Sequence, residues 1–220
     1  MESLDAVEAR VLGSLIEKDL STPDYYPLSL NSLTNACNQS SNRDPVLSLS
    51  EQTVVRGLDS LREKKLAFQF QGADSRVSKY GHRVVETLVL ERPELAVLCV
   101  LLLRGPQTVG EVRGRTGRMF EFASLEDAGA CLDRLIARPE GPLVVKLPRQ
   151  VGMKEQRYAH LLCGEVVPVA GEVTLNPEPA VVAVRLENER LARIEQEATA
   201  LRAEVAALRR ELDHLKKMLE

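Results

Sequence analysis

The string "KYGH" at residues 79–82 returns as "RYAH" at residues 157–160, and this return decides the fold. Each string stands where the final strand of a unit begins. Working backwards from each, "LDSL" (58–61) and "LDRL" (132–135) occupy the same place in a preceding helix. Two matches in the same order and at near-equal separations indicate an internal repeat.

The first unit begins with a helix over 4–20, whose Val7, Val11, Leu12, Leu15 and Ile16 share one face. Two prolines in "STPDYYP" (21–27) end it. A short second helix spans 28–38, with Leu30 and Leu33 inward. Ser50 caps a third helix carrying Val54, Val55, Leu58 and Leu61, which ends near "REKK" (62–65). Alternation in "LAFQFQ" (66–71) and "HRVVETLVL" (82–90), around the polar turn "GADSRVSKYG" (72–81), predicts a hairpin.

The second unit repeats this order. "PELAVLCVLLLRG" (93–105) is an apolar helix with Pro93 before it and Gly105 after it. "TVGEVRGRT" (108–116) is a short helix, Ser124 caps a third, and "PLVVKLPR" (142–149) and "QRYAHLLC" (156–163) are strands joined by "QVGMKE". Three helices and a hairpin make the winged-helix arrangement. The expected fold class is therefore α+β: mainly α with small β-hairpins, as two tandem winged-helix domains at residues 1–91 and 92–166. A Pro-rich linker at 167–182 and a C-terminal coiled-coil helix at 183–220 complete it.

That last helix carries Leu191, Ile194, Leu201, Val205, Leu208, Leu212, Leu215 and Leu219 at alternating spacings of three and four. Glu197, Glu204 and Glu211 fall at g and Arg202, Arg209 and Lys216 at e, so every g-to-e pair of a parallel coil is opposite in sign. A helix docked on its own chain has the same apolar stripe but no need of this charge order. The expectation is a homodimer held by those apolar residues.

The chain of 220 residues has a net charge of −3, yet residues 1–61 are acidic and residues 62–160 are basic on balance. Aromatics make up 4% of the chain and no Trp is present, so no aromatic base-stacking platform is expected. Cys37, Cys99, Cys131 and Cys163 form no C-x-x-C pair and read as reduced thiols. The N-terminus lacks a basic n-region, and Leu95–Leu103 is too short for a bilayer span, so a cytoplasmic protein without membrane contact is expected. No motif for catalysis, metal or phosphate binding stands out, and the expectation is a non-enzyme with no cofactor and no metal.

Binding residues are sought where cations gather. Arg76 and Lys79 ring the first hairpin, and Lys146, Arg149, Lys154 and Arg157 the second. Such wings grip phosphates, although a solvated charged hairpin reads the same. Arg113, Arg115 and Arg118 precede the last helix of the second unit. The third helix of the first unit offers Gln52, Thr53 and Arg56 to a major groove. Acidic neighbours, among them Glu51, Asp59, Glu126, Asp127 and Asp133, oppose base reading. The expected partner is DNA, held mainly through phosphates; the alternative is a protein partner. For the latter, Asn38, Asn42 and Arg43 in "CNQSSNRDP" (37–45) are the candidate contacts.

"YPLSLNSLTNACNQSSNRDPV" (26–46), "SRVSKYGHR", "AVLCVLLLRGPQTVGEVRGRTGRM" and "LPRQVGMKEQRYAHLL" together resemble the YceH family of bacterial proteins over most of residues 5–163. The resemblance implies tandem winged helices and a bacterial cytoplasmic setting. It carries over no catalytic residue.

Overall fold

The computed structural model describes residues 2–71, 77–149 and 155–164. The linker and the coiled-coil residues read at 167–220 lie outside the described residues, as do Arg76 and Lys154. The described residues belong to one compact body, Met1–Asn176. It is an α+β structure.

The first unit runs α1 (Ala6–Ser21), a 3₁₀ turn (Pro23–Tyr25), β1 (Leu28–Ser29), α2 (Leu30–Cys37), α3 (Glu51–Glu63), β2 (Ala67–Phe70), β3 (Lys79–His82) and α4 (Val84–Leu88). The second runs α5 (Arg92–Arg104), α6 (Val109–Thr116), α7 (Leu125–Ile136), β4 (Val144–Lys146) and β5 (Tyr158–His160). Ser50 and Ser124 cap their helices as expected, and Ser29 and Thr108 act in the same way for α2 and α6. Ser29, Ser50, Thr108 and Ser124 each accept a backbone N–H with the side-chain hydroxyl at a helix N-terminus.

The repeat extends to strand register. Ala67 faces His82 as Val144 faces His160, and Gln69 faces Tyr80 as Lys146 faces Tyr158. Leu28 of β1 pairs with Tyr80, and Gln107 makes the matching bridge to Tyr158. The sheet order in the first unit is β1-β3-β2.

Four local expectations need correction. Residues 82–90 are not a strand: β3 ends at His82 and α4 follows at once. A short apolar run such as "VVETLVL" cannot be told from a helix by periodicity alone. Here His82 Nδ1 accepts the Val84 N–H at 3.3 Å, turning the chain. β3 itself begins inside the stretch read as a turn. Leu28 and Ser29 start no helix, because their backbone pairs with β3. Pro93 lies within the first turn of α5, which Glu91 and Glu94 close as a capping box.

α1 and α5 pack against each other and join the cores of the two units into one. Leu95 to Leu103 of α5 are buried without exception, as befits a helix that is apolar all round. Gly13 makes the close approach possible: a Cβ there would lie 2.8 Å from Leu103 Cδ2.

Gly81 explains why "KYGH" and "RYAH" differ at their third residue. Phe68 is the cross-strand partner of Gly81, and a Cβ on Gly81 would meet the Phe68 ring at 2.4 Å. In the second unit the partner of Ala159 is Val145, a smaller side chain. Gly81→Ala is expected to lift Phe68 off the strand and cost about 1–3 kcal/mol. A companion Phe68→Val change should restore part of that loss. Thermal unfolding by circular dichroism reads both, and no recovery in the double variant would refute the cross-strand explanation.

Candidate functional site

The "CNQSSNRDP" connector joins α2 to α3, and the side chains of Asn38, Gln39, Asn42 and Arg43 bond within the fold. Arg43 is buried, with side-chain exposure of 0%. Its guanidinium donates to both carboxylate oxygens of Glu17 (3.0 and 2.6 Å), to the Ala36 carbonyl and to Gln39 Oε1. The Asn38 amide donates to the Leu49 carbonyl at 2.8 Å and its oxygen accepts the Leu49 N–H at 2.7 Å. Asn42 sits at φ 60, a left-handed conformation that Asn tolerates, and accepts a hydrogen bond from Arg104 of α5. The Asp44 N–H donates to the Leu103 carbonyl. Of the three candidate partner contacts, Arg43 is inaccessible, Asn38 is half-buried and Asn42 is exposed.

Arg10 and Arg104 belong to the same construction, and the sequence reading passed over both. Arg10 is buried on α1 and donates to the Cys37 and Pro45 carbonyls. Burial, aided by Arg43, brings its pKa down to about 10. The available signal was an arginine between Ala9 and Val11, beside the apolar face of α1. Cys37 is enclosed by the same groups, and burial pushes its thiol up to about 11. It is not a thiolate at neutral pH, so the connector does not present an activated nucleophile.

The candidate DNA contacts divide by unit. On α3, Gln52 and Arg56 are exposed, while the Thr53 hydroxyl lies 2.8 Å from Ser50 Oγ at the cap. Lys79 is exposed on β3. In the second unit several of the cations are engaged. Arg115 and Arg157 share the Glu111 carboxylate at 3.5 and 3.0 Å, and Arg157 also donates to the Pro106 carbonyl. Arg113 donates to the Phe122 and Ala123 carbonyls. Lys146 lies 5.7 Å from the centroid of the Tyr158 ring. Arg118 and Arg149 are exposed. The exposed residues of α7 include Glu126, Asp127 and Asp133, and Arg134 on the same helix reaches Glu94 at 3.5 Å. The structure thus brings Arg115 and Arg157 together at a carboxylate that the sequence reading did not single out.

The repeated histidines also diverge. His82 Nε2 lies 3.2 Å from Asp19. His160 is buried, its Nδ1 has no hydrogen-bond partner, and burial pulls its pKa down to about 4. Among the described residues no helix is long and apolar enough to cross a membrane.

A family profile described as "Protein of unknown function, DUF480" matches residues 4–153. A UPF0502 protein of Geotalea uraniireducens is 55% identical over 217 residues, covering 99% of this chain and 98% of its own. One from Opitutus terrae is 54% identical over 199 residues, covering 90% and 83%. A third, from Vibrio parahaemolyticus, is 47% identical over 216 residues, covering 96% and 97%. With its connector, both hairpins and all seven described helices inside or adjoining the matched span, the chain belongs to the DUF480 family, whose relatives bear the designation UPF0502.

Proposed function

We propose that this chain is a non-enzymatic tandem winged-helix protein of the bacterial cytoplasm, akin to the YceH family, that binds duplex DNA through its first unit. The observation that carries this reading is the contrast between the units. α3 holds Gln52 and Arg56 at the surface while Val54, Leu58 and Leu61 anchor its other face. The arginines of the second unit are largely held by Glu111 and by backbone carbonyls. A helix firmly seated on one side and polar on the other suits major-groove entry, with Lys79 placed to meet phosphate. The C-terminal heptads support a dimer, which would present two such units to two half-sites.

The test is fluorescence anisotropy with a labelled duplex at low salt. Replacing Gln52 and Arg56 with Ala should weaken binding about tenfold and relax sequence preference, as loss of a bidentate base contact does. A mere phosphate contact would instead flatten the logarithmic salt slope by about 0.9 and leave preference intact. Equal affinity in the double variant would exclude α3 as the DNA face.

A protein-adaptor role is favoured by one feature of the second unit. Leu125, 47% exposed, stands beside Glu126 and Asp127 at the start of α7. That apolar-acidic surface suits a protein partner better than a phosphate backbone.

A further inference from the structure

An open groove of about 480 Å³ lies between α1, the Pro23–Tyr25 turn, β1 and α2. No residue of α3 lines it, so it is distinct from the helix assigned above to the major groove and shares only Lys79 with that duplex face. One wall is formed by Ser29, Ser32 and Asn35 along α2 and its N-cap, continued by Gln39 just past the C-cap Asn38. The six residues of helical rise from Ser29 to Asn35 span about 9 Å.

A lysine flanks each end. Lys79 is the register partner of Ser29. Lys18 follows Glu17, and Arg43 bridges Glu17 to Gln39 at the other end. None of the described lining residues is acidic, although the chain as a whole has a net charge of −3. Tyr25 also lines the groove and is 78% exposed, with its ring available to a flat partner.

Cations, neutral hydrogen-bonding groups and an exposed aromatic ring are the elements by which proteins hold unpaired bases and their phosphates. The groove is open rather than enclosed, which suits a strand passing through better than a small molecule. An acidic peptide would satisfy the lysines but would leave the Tyr25 ring without a stacking partner. We propose that this groove binds single-stranded nucleic acid, with Lys18 and Lys79 on phosphates, the α2 stripe on sugar and base edges, and Tyr25 stacked on a base.

The experiment measures anisotropy of a fluorescein-labelled oligothymidylate with the full-length chain. Tyr25→Ala should weaken binding about tenfold, the usual effect of losing one stacked base. Lys18→Ala should flatten the logarithmic salt slope by about 0.7. Asn35→Glu, a surface change that leaves the core untouched, should weaken binding by placing a carboxylate in the stripe. Circular dichroism checks that each variant is folded. Tyr25→Ala and Asn35→Glu should bind a labelled duplex as the unmodified chain does. Persistence of Tyr25-dependent strand binding in a protein with no duplex affinity would uphold this inference and end the duplex reading. Unchanged oligothymidylate affinity in folded Tyr25→Ala would overturn it. So would displacement of the strand by polyglutamate as effective as that by unlabelled oligothymidylate, which would mark the groove as an acidic-peptide site.

Discussion

Arg43→Ala is expected to destabilise the fold by about 3–5 kcal/mol, the typical loss when one partner of a buried ion pair is removed. The pair is enclosed: side-chain exposure is 0% for Arg43 and 13% for Glu17. Without the guanidinium, the Glu17 carboxylate keeps only Lys18 nearby, at 3.9 Å, and the Ala36 carbonyl loses its two Arg43 donors. For a body of this size the loss corresponds to a fall of roughly 10 °C in melting temperature. Urea titration followed by far-ultraviolet circular dichroism is the suitable measurement, since the chain has no Trp to report. Removing both charges, as Glu17→Leu with Arg43→Met, should recover at least half of the loss, because no buried charge is then left unpaired. If Arg43→Ala unfolds at the same urea concentration as the unmodified protein, the connector is not the clamp described here. A partner-contact role for an accessible Arg43 would then return.

Acidification from about pH 7 to about pH 5 should cost this fold about 2 kcal/mol through His160 alone. Burial holds its pKa at about 4 in the folded chain, against 6.5 for the free side chain. Above the unfolded value both states are neutral, and the contribution to stability is complete. As pH falls below 6.5 the unfolded chain takes up a proton that the folded chain refuses, so stability is lost progressively until the folded value is passed. Glu8 acts at lower pH. Burial by itself would raise its pKa, but hydrogen bonds from Lys64, Ser60 and the Asp5 N–H outweigh that and hold it below 4.5, so its contribution fades only in the carboxylate range. His160→Phe should therefore remove most of the loss between about pH 7 and about pH 5. The same pH dependence in His160→Phe as in the unmodified chain would show that another group is responsible.

The order of elements was legible because it depends on local rules. Helix faces, caps and the repeat of "KYGH" as "RYAH" are patterns over a few residues, and the structure extends them into matching strand registers. The misreading at 82–90 has the same origin: "VVETLVL" satisfies either period, and a contact from His82 to the Val84 N–H tips it to helix. A resemblance to a family of bacterial proteins was likewise legible in strings such as "NACNQSSNRDP", which need no coordinates to be matched; the family that the comparison shows is DUF480.

What only the tertiary structure decided is which polar groups are already spent. In the sequence, Arg43, Arg113, Arg115 and Arg157 are cations available to a partner, equal in kind to Arg56. Folding brings Glu17 to Arg43 and Glu111 to Arg157 from distant positions, and engages Arg113 and Arg115 with carbonyls and a carboxylate nearer in the chain, while Arg56 stays at the surface. The groove beside α2 is hidden in the sequence for the same reason, since Lys18, Tyr25, Ser32 and Lys79 gather only when β3 pairs with β1. Composition counts charges, but the free energy of a charge depends on what stands within a few ångströms of it, and for Arg43 and Arg157 the carboxylate neighbours are tens of residues away in the chain.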